Sequence, residues 1–234
     1  MVRERVKNRN FRNVFLIPFP STREEAGIQL PFDNPQPLEV DIGCGRGRFL
    51  LAKARINPGI NFLGIDRSLL RLQKIDSKAL ASGLNNIRLV NTDALRYLPD
   101  MPPASVSTFY VFFPDPWPKR RHHSKRLISQ AFTEIVFQTL APSGTIHLCT
   151  DHAEYFDAML RCWNASKHFR QVAPFLPTEE EETDFALLFK AQNLPTHRCS
   201  YQKMEPCNES VKGHGARHDH LVDHLVHDKA EVGS

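Results

Sequence analysis

Leu38-Glu39-Val40-Asp41-Ile42-Gly43-Cys44-Gly45-Arg46-Gly47 is a short aliphatic run that breaks into three glycines, each separated by one residue. The run predicts a strand over Leu38 to Gly43, and the pattern beyond it predicts a helix over about Gly47 to Ile56. Glycines in such a turn let backbone approach a ligand where side chains would block it. Outward from this unit the alternation repeats, with further strands expected at Ile60 to Asp66, Ile87 to Asp93, Val106 to Phe113 and Thr145 to Asp151. Helices are expected at about Ser68 to Ser82, Lys125 to Leu140 and Ala153 to Cys162, with Gly83 and the Pro142-Ser143-Gly144 turn as stop signals. Strands and helices in alternation predict an α/β, doubly wound, Rossmann-like fold. In such sheets ligands bind at the carboxyl ends of the strands, so the polar residues there are the first candidates for chemistry.

The chain has 234 residues, 41% of them hydrophobic, enough for one sizeable core. Lys plus Arg number 30 against 26 Asp plus Glu, and a net charge of +4 does not by itself point to nucleic acid. Five cysteines at scattered spacings, without a C-x-x-C pair, argue for reduced thiols in a cytoplasmic protein and against a disulfide framework or zinc site. No 18-residue apolar stretch and no signal peptide are seen, so no membrane association is expected. Residues 1–37 read as an arm, basic at Arg3, Arg5, Lys7, Arg9 and Arg12 and then proline-rich. The main domain is expected over 38–204, its last part a weaker α+β section in which Glu179 to Glu182 reads as a solvated helix start. Residues 205–234 read as a polar, disordered tail, whose His214, His218, His220, His224 and His227 are not expected to hold a metal.

Asp41 precedes Gly43, Gly45 and Gly47, and an acid there suits a cationic methionyl group better than the diphosphate that a nicotinamide cofactor would bring. Asp66 closes the second strand, where a carboxylate can accept the two hydroxyls of a ribose; that fits either cofactor. Asp93 follows the third strand and could pair with an adenine amino group. Any one of these acids could simply cap a helix or turn. Together with the glycine turn they resemble the class I methyltransferase fold, whose nucleoside ligand is S-adenosylmethionine.

The fourth strand runs into Phe113-Pro114-Asp115-Pro116-Trp117-Pro118, where three prolines restrict the backbone around one carboxylate and one large aromatic. Lys119, Arg120, Arg121, His122, His123, Lys125 and Arg126 follow at once. Cations there could hold phosphates while Trp117 stacks on a splayed base, the usual way of reading unpaired RNA.

Over residues 38–204 the chain is similar to the tRNA (guanine-N7-)-methyltransferases. Their Phe-Pro-Asp-Pro-Trp-x-Lys motif and the basic, His-containing run after it are met by Phe113 to His123, with Lys125 and Arg126 beyond. Their three strand-end acids are met by Asp41, Asp66 and Asp93, the first two usually being glutamate. Their Thr-Asp pair is met by Thr150-Asp151. A C-terminal Thr-x-Tyr/Phe-Glu pattern recurs as Thr183-Asp184-Phe185-Ala186, with alanine in place of the glutamate, and Asn193 stands where glycine is usual. The resemblance implies a mostly parallel sheet with an antiparallel C-terminal strand, S-adenosylmethionine as cofactor and tRNA as partner. It also implies 7-methylguanine in the variable loop, conventionally at position 46, as product, with the protein a monomer or homodimer.

Guanine N7 has a lone pair in the neutral base, so no proton need leave before it attacks a sulfonium methyl. Asp115 is therefore expected to orient guanine through its N1 or amino hydrogens and to stabilise the charge that develops on the ring. Lys119 and Asp151 are expected at the nucleotide, Thr183 from the C-terminal section, and Arg120, Arg121, Lys125 and Arg126 on the tRNA backbone. Two alternatives stay open: a methyltransferase for another RNA or a small acceptor, and a tRNA-binding relative without activity.

Overall fold

The structure is a computed structural model that describes residues 13–18 and 30–205. The basic cluster at the N-terminus and the histidine-rich tail lie outside the described residues. In chain order the strands and helices are β1 (Leu16–Ile17), β2 (Leu38–Ile42), α1 (Arg48–Ile56), β3 (Asn61–Asp66), α2 (Leu69–Ala81), β4 (Ile87–Asn91), α3 (Ala94–Tyr97) and β5 (Val106–Phe112). They continue as α4 (Gln130–Thr139), β6 (Leu140–Thr150), α5 (Ala153–Asn164), β7 (Phe169–Val172), α6 (Asp184–Ala191) and β8 (His197–Lys203).

One sheet holds all eight strands in the order β1-β4-β3-β2-β5-β6-β8-β7. Its first six strands run parallel, while β8 is antiparallel to both β6 and β7. Every residue of β2 and β3 is buried, as strands covered on both faces must be. On β2 the two faces differ. Val40 and Ile42 point into a core with Phe109, Val111, Phe132 and Trp163, whereas Glu39 and Asp41 are buried acids on the opposite face. The strand order reverses between β2, followed by the glycine turn, and β5, followed by the proline loop, so both segments sit at the switch point.

Of the boundaries that differ from the sequence expectation, four have an identifiable cause. The third strand stops at Asn91 because Asp93 caps α3, accepting from the Leu95 amide at 2.9 Å. The fourth stops at Phe112 because Phe113 takes φ 55°, outside the strand region. The helix expected from Lys125 begins at Gln130, capped by Ser129, while Arg120–Lys125 forms a 3-10 helix. Pro142-Ser143-Gly144 does not end an element but lies inside β6 as a bulge, between the pairings Val106 with Leu140 and Thr108 with Thr145. The N-terminal arm also contributes more than a covering. Phe15 accepts from the Leu89 amide at 2.8 Å and donates its own amide to buried Asp76 at 2.6 Å, which docks β1 as the edge strand beside β4.

Candidate active site

The turn after β2 is built by short-range backbone constraints. Gly45 has φ 56°, and its amide donates to Asp66 Oδ2 at 3.0 Å. Gly47, at φ 75°, opens α1, and a Cβ there would meet Ile75 Cγ1 at 2.5 Å, so glycine is required by backbone angle and space together. The Gly43 amide donates to Ile65 O at 2.8 Å, and its Cα faces open space, which leaves this edge of the turn clear for a ligand.

Asp41 lies beneath this turn. Burial first, and neighbouring Asp66 second, push its carboxyl up to about 8. A buried acid in that state favours a positively charged neighbour, so the donor set fits a ligand carrying an ammonium or sulfonium group. Asp66 is also buried, and both its oxygens are engaged: Oδ2 holds the Gly45 amide, and Oδ1 accepts from Ser68 at 2.7 Å. Its spare lone pairs remain for a ligand, but part of its work is to shape the glycine turn. Asp93 likewise combines a cap with an exposed second oxygen.

Past β5 the chain turns sharply. Phe113 donates its amide to Cys149 O at 2.7 Å, and its ring packs on Phe185 and Phe189 of α6 at centroid distances of 6.0 and 5.4 Å. Asp115 stands out from this turn with its side chain 67% exposed. Behind it, Arg126 donates from Nε to Pro116 O at 2.8 Å and grips Glu154 of α5 through both terminal nitrogens, with its guanidinium 4.7 Å from the Tyr155 ring centroid. The Arg126 guanidinium is the first cause holding the Glu154 carboxyl below its ordinary range. Arg126 was expected on the tRNA backbone. Its side chain is only 6% exposed, and its planar fork is already matched inside the chain. It holds the Asp115 loop from behind. Arg126→Lys keeps the charge and loses the fork, so any chemistry that depends on Asp115 should slow roughly ten- to a hundredfold through misplacement of the loop. The salt dependence of binding to a polyanion should stay unchanged, which separates this role from a phosphate contact.

Lys119, Arg120, Arg121 and Lys125 are exposed along the 3-10 helix. Trp117 is half-buried at φ 42°; the Lys125 ammonium sits 4.9 Å from its ring centroid, and His122 meets it edge-on at 5.8 Å. Asp151 is exposed just beyond β6, while Thr150 beneath it is fully buried and accepts from the His152 amide at 3.2 Å. Thr183 caps α6, accepting from the Ala186 amide at 3.0 Å.

Three residues that matter here had no sequence signal. Lys53 reaches from α1 into the buried acids, 3.9 Å from Glu39 and 3.7 Å from Glu181, and lies 5.6 Å from the ring centroids of both Tyr110 and Phe175. Arg48 holds Glu182 O and Glu179 O at 2.9 and 3.3 Å. Residues 173–183 are thereby strapped across the sheet toward α1, and Glu181 is buried rather than solvated as expected. Beneath the strap Tyr110 donates to Glu39 at 2.9 Å, and burial together with the Lys53 charge pushes His147 down to about 4. A basic residue on a short helix face and an acid in an acidic run look solvated until the strap folds over them. The third residue is Arg67, whose guanidinium lies 3.5 Å from Asp115 and 3.7 Å from Asp93. Among the described residues no cluster of His, Cys, Asp and Glu is arranged to hold a metal ion, and no helix is long and apolar enough to cross a membrane.

Residues 35–187 match a family model described as "Putative methyltransferase". The tRNA (guanine-N(7)-)-methyltransferase of Chromohalobacter salexigens is 36% identical over 148 residues, 63% of this chain and 60% of that protein. Its namesake in Geobacillus kaustophilus is 37% identical over 146 residues, 62% of this chain and 67% of that protein. The matched stretch thus spans about 60% of the length of the first of these relatives. Among solved structures, the 16S rRNA methyltransferase KamB superposes with a TM-score of 0.56 at 17% identity, covering 73% of this chain and 89% of that one, a likeness of fold. With the family model covering more than half of the chain and relatives this similar beside it, the chain belongs to the tRNA (guanine-N(7)-)-methyltransferase family of methyltransferases.

Proposed function

We propose that the protein transfers a methyl group from S-adenosylmethionine to N7 of guanine in tRNA, at position 46 of the variable loop, in the cytoplasm. The observation that carries this reading is the pairing of two unlike acids at the switch point. Asp41 is buried and calls for a cation, while Asp115 is exposed on a braced loop that leads into a row of exposed cations. The relatives' names supply the acceptor atom.

S-adenosylmethionine supplies, when bound, an electrophilic methyl on a positively charged sulfur. Asp41 would receive the positive end of the methionyl group, with the 43–47 turn giving it close backbone. Spare lone pairs of Asp66 and Asp93 would accept from ribose hydroxyls and the adenine amino group. Guanine N7 would attack with its own lone pair as the methyl–sulfur bond breaks and its electrons return to sulfur in the departing thioether, and no base is needed to remove a proton. Asp115 would accept from guanine N1 or its amino group and stabilise the charge that grows on the ring, at the stage where a preorganised carboxylate has most effect. Lys119 and Asp151 would line the nucleotide and Thr183 would approach from the strap. Arg120, Arg121 and Lys125 would hold phosphates. The test is incubation with labelled S-adenosylmethionine and unmodified tRNA, followed by nuclease digestion. Label is expected in 7-methylguanosine from the variable loop; label on an exocyclic nitrogen, or on protein alone, overturns the function.

A further inference from the structure

Arg67 is the first residue after β3, and it bridges two carboxylates from different strand ends, Asp115 at 3.5 Å and Asp93 at 3.7 Å. Neither partner needs it for position. Asp93 is already held as the α3 cap, and the Asp115 loop is braced by Arg126 at Pro116. The three side chains are 68%, 67% and 47% exposed, so each pair is screened by solvent, is weak and opens readily.

The chemistry proposed above requires it to open. Methylation at N7 makes the guanine ring cationic, and a carboxylate already neutralised by a guanidinium stabilises that charge poorly. The guanidinium itself adds repulsion, and it cannot be silenced by losing a proton. Only relocation removes the conflict, and relocation of an arginine needs another anion.

We propose that Arg67 is a latch released by phosphate: in the free protein it neutralises Asp115, and a phosphate of the acceptor RNA draws it away, so that Asp115 is unmasked only beneath a nucleic-acid backbone. The proposal rests on the role given to Asp115. The exposed cations Lys119, Arg120 and Arg121 would bring a polyanion to this rim of the cleft, and an arginine fork suits a phosphate better than a loose contact to one carboxylate oxygen. Arg67 would thus make the site favour a phosphodiester acceptor over a bare base.

The experiment compares Arg67→Ala with wild-type protein on unmodified tRNA, measuring KM, the single-turnover methyl-transfer rate at saturating tRNA, and tRNA affinity across a salt series. KM should rise about tenfold, while the slope of log affinity against log salt falls by about one. The saturated rate should hold or increase, because the latch is already open in the complex. S-adenosylmethionine affinity, measured by titration, reports that the cofactor side is intact. A slower saturated rate, or an unchanged salt slope, overturns the latch. Absence of label at guanine N7 with the wild-type protein would instead overturn the function on which the latch depends.

Discussion

Asp115→Asn is expected to slow methyl transfer by about a hundred- to a thousandfold, the loss typical of removing one preorganised electrostatic contact, while S-adenosylmethionine binds within about twofold of wild type. Asparagine keeps the size and one acceptor oxygen but carries no charge, so an effect of this magnitude would assign the work of Asp115 to charge stabilisation rather than shape. Its exposed position and braced loop make a folding defect an unsuitable explanation, and the melting temperature should not move. The decisive comparison is the single-turnover rate at saturating tRNA and cofactor. Turnover within about threefold of wild type would sink the assignment.

Asp41→Asn should act in the opposite sense on stability and binding. A carboxyl pushed up to about 8 by burial holds its proton to much higher pH in the folded, ligand-free protein than in the unfolded chain, where it ionises near the ordinary aspartate value of 3.8. Its contribution to stability is therefore fully present below pH 3.8 and is lost as pH rises toward and through about 8. Asparagine removes that penalty, so the ligand-free variant should melt higher than wild type at pH 9, with the difference shrinking toward pH 5. The same variant should lose most of its affinity for S-adenosylmethionine, because the counter-charge for the cationic end is gone. Wild-type binding near pH 7 should release up to one proton, read from titration calorimetry in buffers of different ionisation enthalpy. A variant that melts lower at pH 9, or binding without proton release, would overturn the placement of a cation at Asp41.

Both results bear on how much could be read before the structure. Periodicity located five parallel strands and the switch point, because alternation of buried strands and amphipathic helices is a local signal. It erred where tertiary contact or backbone geometry overrode local pattern. Leu140 to Gly144 looked like the end of a helix and a turn, yet it joins β6 through a bulge against β5. Phe15 to Ile17 carried no strand signal and became an edge strand through Asp76 and β4. Arg126 looked like its basic neighbours in the chain, and only the fold brought Glu154 and Tyr155 to it.

The site divides along the same line. Asp41, the three glycines, Asp66, Asp93 and Asp115 were legible as residue types at strand ends, because a parallel sheet carries its ligands there. What each side chain does in addition depended on contacts distant in sequence. Asp66 shapes the glycine turn, Asp93 caps a helix, and Lys53 with Glu181 fastens the strap. Arg67, like Lys53 and Arg48, took its meaning wholly from three dimensions. The chain alone specified five parallel strands, the glycine turn and the acid-bearing strand ends, since these follow from local propensity and spacing. Burial, the pairing of charges and the freedom of each cation were settled only by folding, because they depend on which distant groups arrive within a few ångströms.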